Sequence, residues 1–109
     1  MVGRKAVNAE IQGYLQDLEA SGIHIEKAYL FGSMYHGNPN EYSDIDLAVW
    51  SNDFSNDYFE NIERTAHLKR KYKRVELHPF QMNETKDNNP FIAIIESTGK
   101  SIQMGLPVL

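Results

Sequence analysis

Cysteine is missing from this chain altogether. That absence excludes disulfides, thiolate nucleophiles, iron–sulfur clusters and thiolate zinc sites together. An excess of positive charge is missing too. Eleven Lys and Arg stand against fifteen Asp and Glu, a net charge of −4, which disfavours a nucleic-acid partner held by bulk electrostatics. No apolar run is long enough to cross a bilayer, and Met1-Val2-Gly3-Arg4-Lys5 leads into no signal-peptide apolar core. The expectation is a cytoplasmic protein with no membrane partner. Repeats, low-complexity segments and linkers are lacking as well, so residues 1–109 are read as a single domain. The four histidines, His24, His36, His67 and His78, show no i, i+4 ligand spacing, and no zinc site is expected.

What is present is an alternation of helical and strand patterns. Val7, Ile11, Leu15 and Leu18 recur at spacings of three and four and predict an amphipathic helix from Lys5 to Ala20, ended by Ser21-Gly22. From Ile23 to Phe31 the period falls to two, as in a strand that breaks at Gly32-Ser33. Met34 to Tyr42, rich in Gly, Asn and Pro, suits a short helical turn and an exposed loop. In the next strand, Asp44 to Trp50, alternation puts Asp44, Asp46 and Ala48 on one face and Ile45, Leu47 and Val49 on the other. Asp53 or Ser55 is placed to cap a long helix reaching Lys73, with Phe59, Ile62 and Ala66 inward. A third strand follows from Arg74 to Phe80, then a helix from Pro90 to Thr98 capped by Gly99, and Ser101 to Met104 suits a short edge strand. The sum is an α/β (α+β) domain, a small mixed sheet covered by helices.

Two features carry chemistry. Carboxylates one residue apart on a strand point the same way, with α-carbons about 6.5 to 7 Å apart, close enough to share a metal centre. Mg²⁺ takes hard oxygen ligands and usually only one or two carboxylates, leaving the rest to water and substrate phosphate, which an open Asp44-x-Asp46 pair suits. The Gly32-Ser33 turn complements it: glycine lets backbone approach a phosphate, a helical start offers free N–H groups, and Ser33 adds a hydroxyl. Each feature alone is common on protein surfaces. Together they describe a site for a phosphorylated substrate and a divalent metal.

Tyr29-Leu30-Phe31-Gly32-Ser33, then His36-Gly37, then Ser43-Asp44-Ile45-Asp46-Leu47-Ala48-Val49 resembles the signature of the minimal nucleotidyltransferases of the DNA polymerase β superfamily. The match keeps order, strand context and the interval of twelve positions between Gly32 and Asp44. The resemblance implies a polymerase β palm-like fold and transfer of a nucleoside monophosphate, AMP from ATP, to a hydroxyl acceptor with release of pyrophosphate. It implies that Gly32 and Ser33 bind the triphosphate, that Asp44 and Asp46 bind Mg²⁺, and that Glu76 is the third catalytic and metal-binding acid, so that two ions are held. Two positions depart from the usual pattern: His36 stands where arginine is usual, and Glu76 where aspartate is the commoner third acid.

Larger relatives carry a further domain for the acceptor, so a partner protein or a second copy is expected to complete the substrate site. Small members of this type resemble the antitoxins (MNT type) encoded beside HEPN-type toxins, which they can modify by adding AMP to a tyrosine. The competing reading is a catalytically degenerate relative that binds a nucleotide or partner without chemistry; His36 and Glu76 keep it open. His78 shares parity with Glu76 and can line the same face, although a structural role is the expectation. The basic run Lys69, Arg70, Lys71, Lys73, Arg74 is accounted for by the favourable placement of cations at a helix C-terminus.

Overall fold

The computed structural model describes residues 3–34 and 43–109. Helix α1, Arg4–Ala20, buries Val7, Ile11, Tyr14, Leu15 and Leu18 along one side, the stripe that the three-and-four spacing predicts. It ends where Gly22 takes a positive φ of 95°, which a glycine adopts at no steric cost.

Strand β1 is shorter than the period-two pattern suggests, spanning Lys27–Phe31. Ile23 is buried in the core without being in the strand. The reason lies one residue on, where the His24 amide donates to the Asp53 carboxylate at 2.8 Å instead of joining a ladder. A 3₁₀ turn, Gly32–Met34, follows β1, and strand β2 runs Ile45–Trp50. His36, Gly37 and the loop expected through Tyr42 lie outside the described residues.

The long helix expected between β2 and the third strand is two helices, α2 at Tyr58–Arg64 and α3 at Ala66–Lys71, meeting at Thr65. Its cap is neither Asp53 nor Ser55 but Asp57, whose carboxylate accepts from the Phe59 and Glu60 amides. Phe59, expected inward, is 79% exposed. The residue α2 buries is Asn61, whose side-chain amide donates to the Ser55 carbonyl and accepts from the Ser55 amide, each at 2.9 Å. A polar side chain hydrogen-bonded to backbone is invisible to a hydrophobic pattern.

Strand β3, Val75–Phe80, is followed by α4, Pro90–Thr98, with Pro90 in its first turn and the Asn89 side chain accepting from the Phe91 amide. The expected edge strand is β4, only Lys100–Ser101. The sheet order is β3-β2-β1-β4. β1 pairs antiparallel with β2, placing Phe31 opposite Asp46, whereas β2 pairs parallel with β3, placing Asp46 beside Glu76 and Ala48 beside His78.

Alternation then separates two cores. Leu30, Ile45, Leu47, Val49, Val75 and Leu77 pack with the α1 stripe, while Phe31, Ala48, Trp50 and Phe80 pack with Ile92 and Ile95 of α4. The face that carries the acids is thus covered by α4 from Ala48 onward. After β4 the chain returns to α1: the Asn8 side chain accepts from the Val108 and Leu109 amides, and Gln12 accepts from the Gly105 amide. Among the described residues no helix is long and apolar enough to cross a membrane.

Candidate active site

The parallel register fixes the centre of the site. Asp46 and Glu76 are the second residues of neighbouring parallel strands and fall side by side, on the face opposite Ile45, Leu47, Val75 and Leu77. Asp44 precedes β2, two residues before Asp46, and is exposed. Asp46 and Glu76 are half-buried, with side chains 24% and 46% exposed, so Asp46 is the more enclosed acid.

Gly32 follows Phe31, the residue opposite Asp46, and adopts a φ of 78°. A Cβ on Gly32 would lie 2.5 Å from Asp46 Oδ2, nearer than a carbon can approach. The turn is therefore glycine for two independent reasons, its left-handed backbone and the carboxylate pressed against it. Through this contact the backbone that could cradle a phosphate lies directly against the carboxylate that could hold a metal. Ser33 lies in the same 3₁₀ turn.

His78, two residues after Glu76 on β3, places its Nε2 3.1 Å from Asp46 Oδ1. An ionised carboxylate only accepts, so the ring N–H donates and fixes the orientation of Asp46. The imidazole is held edge-on between Phe31, at 4.9 Å between centroids, and Phe91, at 5.9 Å. Sequence parity placed His78 on this face; what it missed was the partner. The signal available was the pairing of β2 and β3 with Asp46 and Glu76 level, which puts His78 within reach of Asp46 from the neighbouring strand.

Glu76 does not stand free. Lys69 of α3 reaches across the outer edge of β3, donating to Glu76 Oε1 at 2.7 Å and to the Val75 carbonyl at 3.0 Å. Behind it, burial pushes the Tyr14 phenol well above its ordinary range, with the Glu76 charge adding to the shift.

The donors match a hard divalent cation in type, since Asp44 is exposed, Asp46 is half-buried, and a Mg²⁺ site needs no more than two carboxylates from the protein. A closed three-ligand set is a different matter. Among the described residues no group of three Asp, Glu or His is gathered to hold a metal ion.

The model of the family described as Polymerase beta, Nucleotidyltransferase matches residues 10–103. Two solved structures share the fold. One is a putative nucleotidyltransferase from Sulfolobus solfataricus, with a TM-score of 0.61 and 20% identity over 77% of this chain and 74% of that one. The other is a chain in the complex of the tri-AMPylated Shewanella oneidensis HEPN toxin with its MNT antitoxin, with a TM-score of 0.54 and 20% identity over 94% of this chain and 73% of that one. No curated protein matches the chain.

Proposed function

The chain belongs to the polymerase β nucleotidyltransferase family, and from that premise we propose that it transfers a nucleoside monophosphate, AMP from ATP, to a hydroxyl acceptor and releases pyrophosphate. The observation that carries this reading is the close approach of Gly32 and Asp46, which sets the turn that would bind phosphate against the acid that would bind a metal. Asp44 and Asp46 would hold Mg²⁺, and Glu76, level with Asp46, would be the third acid. When bound, Mg²⁺ supplies charge neutralisation on the triphosphate and a lowered pKa at the acceptor hydroxyl.

The chain's own residues do the positioning. The Gly32-Ser33 turn offers backbone N–H groups to the triphosphate and orients it for in-line attack. His78 keeps the Asp46 carboxylate in one orientation. Phe31 and Phe91 bracket the His78 ring edge-on and hold it in place beside Asp46.

The acceptor in this reading is a tyrosine of a HEPN-type protein. The likeness to a chain of the HEPN–MNT complex supports that choice of partner. It predicts a two-protein experiment: purified protein, Mg²⁺ and a candidate HEPN-type partner are incubated with ATP labelled at either the α- or the γ-phosphate. Label from the α-phosphate alone should become covalently attached to the partner. Label from the γ-phosphate would indicate a kinase-type transfer and refute the reading.

A second reading has its own observation. The Lys69–Glu76 ion pair occupies the third acid, as it would in a relative that binds Mg²⁺-nucleotide or a partner without transferring anything. Nucleotide binding without transfer to any acceptor offered would select it.

A further inference from the structure

A cavity of about 370 Å³ opens between α2, α3 and the outer edge of β3. Ile62, Ala66, Val75 and Leu77 line it together with Tyr14 of α1, and Tyr14, Val75 and Leu77 belong to the α1-side core. The cavity therefore lies on the face of the sheet opposite the one that carries Asp46. We propose that it is a second ligand site, independent of nucleotidyl transfer, for a small apolar monocarboxylate that carries a neutral hydrogen-bond acceptor at its other end.

The inner end of the site is set by the Tyr14 hydroxyl. Tyr14 is 2% exposed, and among the described residues its hydroxyl has no hydrogen-bond partner. No fully enclosed side-chain nitrogen or oxygen among the described residues is left unpaired, so this hydroxyl keeps an opening, and the cavity that Tyr14 lines supplies it. Water can satisfy the hydroxyl through that opening. A ligand that displaces the water must bring an acceptor in its place, or the phenol loses its hydrogen bond. That acceptor has to be neutral, because the burial and the Glu76 charge that disfavour a phenolate at Tyr14 also disfavour a carboxylate beside it.

The rim calls for the opposite chemistry. Lys69, Arg70 and Glu76 are the charged residues of the lining. Lys69 is committed to Glu76 at 2.7 Å and to the Val75 carbonyl at 3.0 Å. Arg70 is exposed and has no ion-pair partner among the described residues, so one positive charge at the rim is uncompensated. A guanidinium presents paired N–H donors that match a carboxylate. Ala66 and Arg70 stand four residues apart on α3 and share a face, which leads a ligand from the guanidinium inward along the apolar walls.

Size and composition fit a small molecule. The volume falls within the range of about 300 to 1,000 Å³ that such sites occupy, and apolar walls with a few placed polar groups are their usual lining. The walls supply burial, Tyr14 and Arg70 supply orientation, and the two polar ends differ in charge.

The test is calorimetric titration of the full chain without nucleotide. Three probes are compared: para-acetylphenylpropanoate, its para-isopropyl analogue, which keeps the shape without the carbonyl, and its primary amide, which lacks the charge. The acetyl acid should bind saturably with a Kd of about 1 mM or below. It should bind about threefold or more tighter than the isopropyl acid, and by a similar factor tighter than the amide at low salt. Tyr14→Phe should cancel or reverse the first preference and keep the second, whereas Arg70→Gln should cancel the second and keep the first. Mg²⁺-ATP should not displace the ligand. Absence of saturable binding, equal binding of all three probes, or a preference that survives its matching variant would overturn the proposal. So would displacement by Mg²⁺-ATP, which would assign the cavity to the nucleotide. None of these readouts depends on whether AMP is transferred, so this site and the transfer reading fail separately.

Discussion

Gly32 and Asp46 constrain each other, and substitutions at the two positions should fail in different ways. Gly32→Val adds a β-branched side chain at φ 78° and forces it into the Asp46 carboxylate. The expected cost is about 1 to 3 kcal/mol of stability, read from urea unfolding, together with loss of saturable ATP binding. Asp46→Asn keeps an acceptor oxygen for His78 and should melt close to the parent, yet it should abolish transfer because a neutral amide is a poor Mg²⁺ ligand. Wild-type turnover in Asp46→Asn at saturating Mg²⁺ would remove Asp46 from the mechanism. Glu76 separates chemistry from binding. Glu76→Gln should bind Mg²⁺-ATP within about a few-fold of the parent and lose about a hundredfold or more in transfer rate, the scale on which a positioned acid or base contributes. Glu76→Asp should keep measurable activity. Parent-like transfer rates for Glu76→Gln would show that the acid serves only its ion pair with Lys69.

Among the elements, α2 depends on its cap more than on its core. Seven residues long and burying only Asn61, it has two of its first amides satisfied by the Asp57 carboxylate. Asp57→Ala should cost about 1 kcal/mol in chemical denaturation, the usual worth of such a cap, and a change below a few tenths would show that Asn61 alone holds the helix. This stretch also marks where the sequence is hardest to read. The strands and the outer helices are legible because their apolar residues recur at a period the backbone imposes. Around α2 the organising contacts are polar: Asp53 serves the His24 amide, Asn61 serves Ser55, and Asp57 is left to cap. Any of Asp53, Ser55 and Asp57 has the chemistry of a cap, and only tertiary contacts decide among them. At the candidate site, motif and parity single out Gly32, Asp44, Asp46 and Glu76, and the structure adds how Gly32, Asp46 and Glu76 lie relative to one another. His78 was readable as a face but not as a partner, since that needs the β2–β3 register. The Lys69–Glu76 pair was not readable, because the basic run containing Lys69 has a sufficient explanation in the helix dipole.

For the whole molecule, the two cores on either side of one sheet make stability a shared property of α1, α4 and the strands between them. One buried group gives that stability a pH dependence. Tyr14 is 2% exposed and its folded-state pKa is raised by burial first and by Glu76 second. Above pH about 10 the unfolded chain releases this proton while the folded chain retains it, so the unfolded state binds fewer protons and stability falls as pH rises. Urea midpoints measured from pH 8 to 11 should decline at the upper end for the parent, and Tyr14→Phe should lessen that decline. An identical profile for both would show that Tyr14 ionises in the folded state as readily as in the unfolded one.

The two margins of the sheet have a further consequence. Among the described residues the sheet is four strands wide and leaves two outer strands, each with a row of amides and carbonyls through which copies of a chain can zip together. Here β4 offers two residues, and β3 carries Pro79, which has no amide hydrogen, beside a Val75 carbonyl already taken by Lys69. Neither margin is a continuous template for fibril growth. Copies of this chain can therefore sit at high local concentration without their sheets joining.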